Sequence, residues 1–410
     1  MKLLFVVQRY GHEVAGGAER FARDFATQMA ARGSEVEVLT SRAKNYMDWA
    51  DHYPDGTEMV DGVPVHRLSV VLPRSDRLFG PMHYRVFHGR KPIPYHLQEA
   101  WMEMQGPRLR GFTEALRDRA AGADAVVFFT YLYHTTWAGL PAVGDLAPTV
   151  LHPTAHDEAP LHLPLFETTF RLPTGFGFLT EEELSLVRDR FAVRQPFAVT
   201  GVGIDLEAVG DGDQFRAGAG AALGARPYLL YVGRLDPHKG AIELYDHFVA
   251  YKRRNPSPLA LAVVGEPVVP LEEHPDVVVT GFVDEQTKHD AYAGCVALVQ
   301  PSFFESFSIV LAEAWAHRKP ALVQGRSDVL VGQARRSGAA IPYVGFAEFE
   351  AALDLLLEDD RRARRLGDNG RAYVERRYGW DTVMGTYETF LASLLGIQPR
   401  RKLTASQPSL

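Results

Sequence analysis

The stretch VALVQPSFFESFSIVLAEA, residues 296 to 314, joins two periodicities across a short break. Residues 296–302 form a brief apolar run of the kind a buried parallel strand needs. Beyond the break the pattern predicts a helix with its first turn near Ser306 to Ile309. Glu305 stands in the connecting loop, and Glu313 lies inside the apolar helix among Phe307, Ile309, Val310, Leu311, Ala312 and Ala314. A carboxylate persists in such surroundings only if it is exposed, paired, or facing something polar that binds there. Eight helical residues span roughly 12 Å, so the two acids can grip opposite ends of an elongated ligand. Both can accept hydrogen bonds from hydroxyl groups. The plain alternative for Glu313 is an ion pair with a neighbour such as Arg318.

The same strand-then-helix alternation runs outward in both directions, through LLFVV, EVEVLT, DAVVFFT, PTVLH, YLLYVG, LALAVVG, DVVVTGFV and PALVQG. It predicts an α/β protein of parallel sheets with helices on both faces. In the first helix Phe21, Phe25 and Met29 share a face, Arg20, Asp24, Gln28 and Arg32 point away from it, and Gly33 ends the segment. Large apolar residues thin out between about 195 and 227. We therefore expect a first domain over 1–195 joined by a C-terminal helix at about 379–395, a second over 196–378, and a disordered tail over 396–410. Residues 42 to 108, with Trp49, Tyr53 and Trp101, read as a long irregular decoration of the first domain.

At 410 residues and 46% hydrophobic content the chain can bury a large core in two domains. A net charge of -7 gives no electrostatic footprint for nucleic acid. The single cysteine, Cys295, can form no intramolecular disulfide and fits a reducing, cytoplasmic setting. The start, MKLLFVVQRYG, is too short for a secretory signal and reads as a first strand. No apolar run reaches the roughly 18 residues of a membrane span. Local basic pieces, Arg90 with Lys91 and Arg400, Arg401 and Lys402, leave room for a peripheral membrane contact.

Two further motifs follow strands. Gly16 and Gly17 open the first helix, where glycines let a ligand approach backbone and the helix N-terminus favours an anion. YVGRLDPHKG, residues 231 to 240, places Arg234 and Lys239 in one loop beyond a strand, where two cations can clamp a diphosphate. Together with GVGID near the junction and the two glutamates of ESFSIVLAE, these motifs resemble the retaining glycosyltransferases of family 4, the group 1 type. The likeness covers about residues 1 to 395 and is strongest over 226 to 330.

That resemblance implies a GT-B fold, two Rossmann-like domains facing a cleft. It implies transfer of a sugar from a UDP- or GDP-linked donor to a hydroxyl acceptor, which is a glycan, a lipid-linked sugar or a small molecule, with no metal and no cofactor beyond the donor. In such enzymes Arg234 and Lys239 would bind the diphosphate, Gly16 and Gly17 would close over it, Glu305 would contact the sugar and Glu313 the ribose. Amides near Phe307, Ser308, Ile309 and Val310 would line the phosphates, and backbone near Phe282 and Val283 would meet the base. The histidine beside the anomeric carbon matches His156, with Asp157, and His134 is the competing match.

Other readings carry less. The DGD at 211–213 reads as a turn, since no strand delivers it to a site, and GAGAALG at 218–224 precedes a strand rather than following one. His152, His156, Asp157 and His162 could be scored as metal ligands, but Pro153 argues against the helix their spacing would need. An epimerase or phosphorylase on the same fold, and a nucleotide-sugar-binding subunit without chemistry, remain the alternatives.

Overall fold

The structure, a computed structural model, describes residues 1–14, 16–235, 239–266 and 272–397. The expected tail therefore lies almost wholly outside the described residues. Among these, fourteen strands form two sheets. The first comprises β1 (Lys2–Val6), β2 (Glu35–Ser41), β3 (Gly56–Val60), β4 (Val63–Leu68), β5 (Ala125–Phe129), β6 (Thr149–His152), β7 (Gly175–Phe178) and β8 (Phe197–Val199). The second comprises β9 (Tyr228–Val232), β10 (Ala260–Val264), β11 (Val277–Gly281), β12 (Ala297–Gln300), β13 (Ala321–Gln324) and β14 (Ala340–Tyr343). Their orders are β3-β4-β2-β1-β5-β6-β7-β8 and β11-β10-β9-β12-β13-β14. Every adjacent pair is parallel except β3 with β4. The central strands are buried on both faces, which is why they read as unbroken apolar runs.

Strand order reverses twice, beside β1 and β5 in one lobe and beside β9 and β12 in the other. In open parallel sheets such reversals leave a crevice at the carboxyl ends of the strands, and ligands bind there.

The segment from 42 to 108 is not irregular. It contains the β3–β4 hairpin and two helices, Asp76–His88 and Tyr95–Gln105. The hairpin turns on Asp61 (φ 50°) and Gly62 (φ 79°), a pair whose positive φ values suit a two-residue turn, and Val63 and Val65 alternate into the core. Trp49 and Trp101 are fully buried here, with indole N–H groups donating to the Gln105 carbonyl at 2.8 Å and to His83 at 3.3 Å. The first sheet also continues past residue 195, because β8 is short and only Ala198 of it is buried, so its apolar signal is slight.

The chain crosses between lobes twice, through Gly201–Asp205 and back through Tyr378–Trp380. The two crossings touch, with Ile204 N–H donating to the Tyr378 carbonyl at 2.7 Å. The final helix, Trp380–Leu395, then packs on the first lobe, where the Tyr387 ring lies 4.6 Å from that of Phe25.

Candidate active site

β9 ends at the second reversal and delivers Gly233 and Arg234. Lys239 follows at the start of the next helix, and residues 236–238 lie outside the described residues. Gly240 has φ 68°, and a Cβ there would fall 2.1 Å from the Pro301 carbonyl oxygen. That close approach sets the Lys239 turn against the loop leaving β12. Lys239 Nζ consequently reaches Glu305 Oε1 at 3.0 Å and the Phe304 carbonyl at 3.5 Å.

The helix after β12 runs Ile309–Ala316, starting later than the sequence pattern suggests because Ser308 adopts φ 73°. Ser308 Oγ accepts from Gln300 Nε2 at 2.8 Å, and Gln333 donates to the Phe307 carbonyl. Phe307 itself is buried against Tyr378 at the crossing, so only its backbone can serve a ligand. The N–H groups of Ser308, Ile309 and Val310 make no hydrogen bond among the described residues. They are the free donors that a helix start offers to an anion. Beyond β11, Phe282 is exposed and Val283 is partly buried against the core, while Asp284 caps the next helix through Thr287 N–H at 2.7 Å.

Glu313 is only 3% exposed. It pairs not with Arg318, which binds Asp368 at 2.7 Å, but with three groups brought from two directions. Lys288 Nζ lies at 3.0 Å and the Tyr292 hydroxyl at 2.9 Å, both on the helix Glu285–Gly294. Arg20 Nη2 reaches across from the first lobe to 2.8 Å. Burial alone would raise the carboxyl pKa, but the charges of Arg20 and Lys288 overcome it and bring it to about 2. Arg20 is thus partly covered by the second lobe, toward which the polar face of the first helix is turned, and periodicity cannot distinguish water from a polar partner.

In the first lobe Gly16 and Gly17 differ. A Cβ on Gly16 would fall 2.1 Å from Glu19 Oε2, whereas one on Gly17 would meet nothing within 4 Å. Glu19 is buried and accepts from Gln8 Nε2 at 2.9 Å and Arg9 Nε at 3.0 Å. Gly16 therefore serves the chain's own packing, and Gly17 borders open space. Tyr46 closes the cleft from above, its hydroxyl accepting from Arg234 Nη1 at 2.8 Å, with the Arg234 and Arg9 guanidinium groups 5.1 and 5.3 Å from its ring centre.

His156 meets the second lobe: its ring lies 5.7 Å from that of Phe304, next to Glu305. Its Nδ1 is 3.7 Å from Glu158 Oε1, too far for a hydrogen bond, and Glu158 is held by the Tyr131 hydroxyl at 2.8 Å. Asp157 does not support His156, since it turns outward to His162 at 2.6 Å. His134 lies 3.6 Å from Glu103 within the first lobe. His152 is fully buried between Phe129 and Tyr387, and burial lowers its pKa to about 3. Of the four groups that could be scored as a metal set, Asp157 and His162 meet, and among the described residues no three such groups gather. Asp211 caps the helix Gly212–Ala217 through Asp213 N–H at 2.9 Å.

Two facing α/β lobes, with cations and helix amides gathered where strand order reverses, define the GT-B class of glycosyltransferases. Residues 16–203 match the family model described as a glycosyl transferase 4-like domain, and residues 221–373 that of glycosyl transferases group 1. The chain belongs to the group 1 glycosyltransferases and acts on sugar-nucleotide donors. It is 30% identical to the D-inositol 3-phosphate glycosyltransferase of Frankia alni, over 93% of this chain and 95% of that one. It is 26% identical to the GDP-mannose-dependent alpha-(1-6)-phosphatidylinositol monomannoside mannosyltransferase of Mycobacterium tuberculosis, over 92% and 94%. The structure of Anabaena Alr3699/HepE in complex with UDP-glucose superposes with a TM-score of 0.67 at 16% identity, covering 96% of this chain and 100% of that one.

The sequence gives no role to Glu19, Tyr46, Lys288 or Tyr292, and it puts Arg20 on the polar face of the first helix without naming the carboxylates which that face meets. Lys288 and Tyr292 are spaced i, i+4 and so share a helix face, the one signal that could have paired them.

Proposed function

We propose that the protein is a retaining, metal-independent hexosyltransferase that passes a sugar from a UDP- or GDP-linked donor to a hydroxyl acceptor. One observation carries the reading: Lys239, Glu305 and the free amides of the helix Ile309–Ala316 converge at the second-lobe strand reversal, opposite His156. As the bond from the anomeric carbon to the diphosphate oxygen breaks, negative charge grows on the diphosphate. Arg234, Lys239 and those amides supply preorganised positive charge to it. The acceptor oxygen bonds to the anomeric carbon on the same face, and its proton passes to a departing phosphate oxygen. Glu305 orients sugar hydroxyls, Glu313 the ribose, Val283 and Phe282 border the base, and His156 polarises or positions.

A thermal-shift screen of nucleotide sugars tests the donor, because ligand that binds only the native state raises its melting temperature. The product's anomeric configuration, read by NMR, tests retention: inversion overturns it. Activity abolished by a chelator and restored by a divalent ion overturns metal independence. Free epimer, or phosphorolysis without acceptor, favours the isomerase or phosphorylase alternative. Affinity without donor hydrolysis or transfer favours a binding subunit.

The acceptor side favours a lipid-linked substrate at a membrane's inner face. Residues 71–96 hold five Arg and Lys against one Asp in a chain of net charge -7. Leu72, Leu78 and Tyr84 are exposed there beside Arg77, Arg85, Arg90 and Lys91. Arg74 links this patch to the cleft through the carbonyls of Tyr46 and Met47. Among the described residues no helix is long and apolar enough to cross a membrane, so contact would be peripheral. Co-sedimentation with anionic but not zwitterionic vesicles supports it, and equal behaviour with both overturns it.

A further inference from the structure

The carboxylate expected to hold the donor's ribose is already engaged, and the group engaging it comes from the opposite lobe. Arg20, in the first turns of the helix Gly17–Ala31, places Nη2 2.8 Å from Glu313 Oε1 and 3.2 Å from Glu285 Oε2. With Lys288 and Tyr292 also donating, three of the roughly four lone-pair positions of the Glu313 carboxylate are used. A vicinal diol needs two of them side by side. The cavity bordered by Arg20, Asp24, His289 and Glu313 measures about 190 Å³, below the roughly 300 Å³ at which small-molecule pockets begin.

We propose that Arg20 is an internal competitor for the nucleotide: it pairs with Glu313 across the lobes and releases it to the ribose hydroxyls when the donor enters. Arg20 is a positioning residue acting through Glu313 and takes no part in bond making. Its release has a landing place, since Arg20 Nε already lies 3.4 Å from Asp24 Oδ2 one turn along the same helix. The guanidinium can pair there without being left uncompensated. Lys288 and Tyr292 remain on Glu313 and keep it ionised and aimed. The contact between Tyr46 and Arg234 repeats the arrangement at the diphosphate end, where a first-lobe side chain again holds a second-lobe group that the donor needs. This inference rests on the proposed nucleotide-sugar reading.

The test is calorimetric titration of full-length wild type, Arg20→Met and Arg20→Lys with UDP, GDP and inorganic pyrophosphate. If the competitor leaves about a tenth of the molecules binding-competent, its removal tightens nucleotide binding about tenfold. Arg20→Met should show that gain for whichever nucleotide the wild type binds, and Arg20→Lys, keeping charge but losing the planar fork, a smaller one. Pyrophosphate, lacking ribose, should bind all three alike. Unchanged or weaker nucleotide binding by Arg20→Met overturns the role of Arg20 alone, as does an equal gain for pyrophosphate, which would mean general loosening of the lobes. Should Arg20→Met not fold, Arg20→Lys is read by the same criteria. A wild type that binds neither nucleotide overturns the proposed function and this inference with it.

Discussion

The two lobes repeat one topology and fill its crevice in opposite ways. At the reversal beside β1 and β5, Arg9 and Glu19 are both buried, paired with each other and joined by Gln8, so the charges cancel within the chain. At the reversal beside β9 and β12, Arg234 is exposed, Lys239 is 42% exposed, and one carboxylate, Glu305, pairs with Lys239 beside free helix amides. The lesson is that strand order makes the crevice, and side-chain chemistry decides whether the protein keeps it or offers it to an anion.

The difference should be easiest to break at Lys239. Lys239→Ala removes one of the few point charges available to the departing diphosphate, and turnover should fall by about 10²- to 10³-fold. The melting temperature should barely move, because a partly exposed ion pair contributes little to stability. Steady-state kinetics beside a thermal melt checks both halves, and a normal turnover number would remove the cation clamp from the mechanism. The first-lobe counterpart should invert this result. Glu19→Ala removes the buried carboxylate that neutralises the Arg9 guanidinium, a change that typically costs about 3–5 kcal/mol. Chemical denaturation should show a loss of that size, and a loss below about 1 kcal/mol would mean that water reaches Arg9 and the crevice is not sealed.

Acid provides a milder probe of the seam between the lobes. Native Glu313 has its pKa held near 2 by Arg20 and Lys288, below the ordinary 4.5, so folding favours its ionised form. That contribution is complete above about pH 4.5 and is lost as pH falls from there toward about 2. Comparing wild type with Glu313→Gln in melts across this window should show the wild type alone losing this increment. Parallel curves for the two proteins would mean that Glu313 does not carry it.

Much of this was legible in the sequence, and what was missed has common causes. Arg234, Lys239, Glu305 and the helix amides follow strands whose continuous apolar runs announce burial on both faces, so their place at the carboxyl edge could be read directly. Val63, Pro64 and Val65 lie in a strand too short and too polar in its surroundings to stand out, although the Asp61-Gly62 turn was a usable sign. Arg20 lies on the polar face, as its spacing from Phe21, Phe25 and Met29 requires, but a helical period separates polar from apolar faces and says nothing of what the polar face meets. The resemblance pairs Asp157 with His156, whereas the fold sends the Asp157 side chain to His162. Glu313 reads as exposed, paired or facing a bound polar group; it is buried and paired, and one of its partners, Arg20, comes from nearly 300 residues away in sequence, beyond any local rule.

The smallest expected effect falls on the two adjacent glycines, and it sharpens the contrast most closely. Gly16→Ala would drive a methyl group to 2.1 Å from Glu19 Oε2 and disturb the sealed first-lobe crevice. Gly17→Ala meets no protein atom within 4 Å, and as the first helical residue it should gain a few tenths of a kcal/mol or remain neutral in a melt. If that open space is where the donor's phosphates approach backbone, the same methyl group should raise the donor KM several-fold while the protein stays as stable as before, since weakening the ground state and the transition state equally changes KM and leaves kcat alone. An unchanged KM would assign Gly17, like Gly16, to the chain's own architecture and leave the anion site wholly to the second lobe.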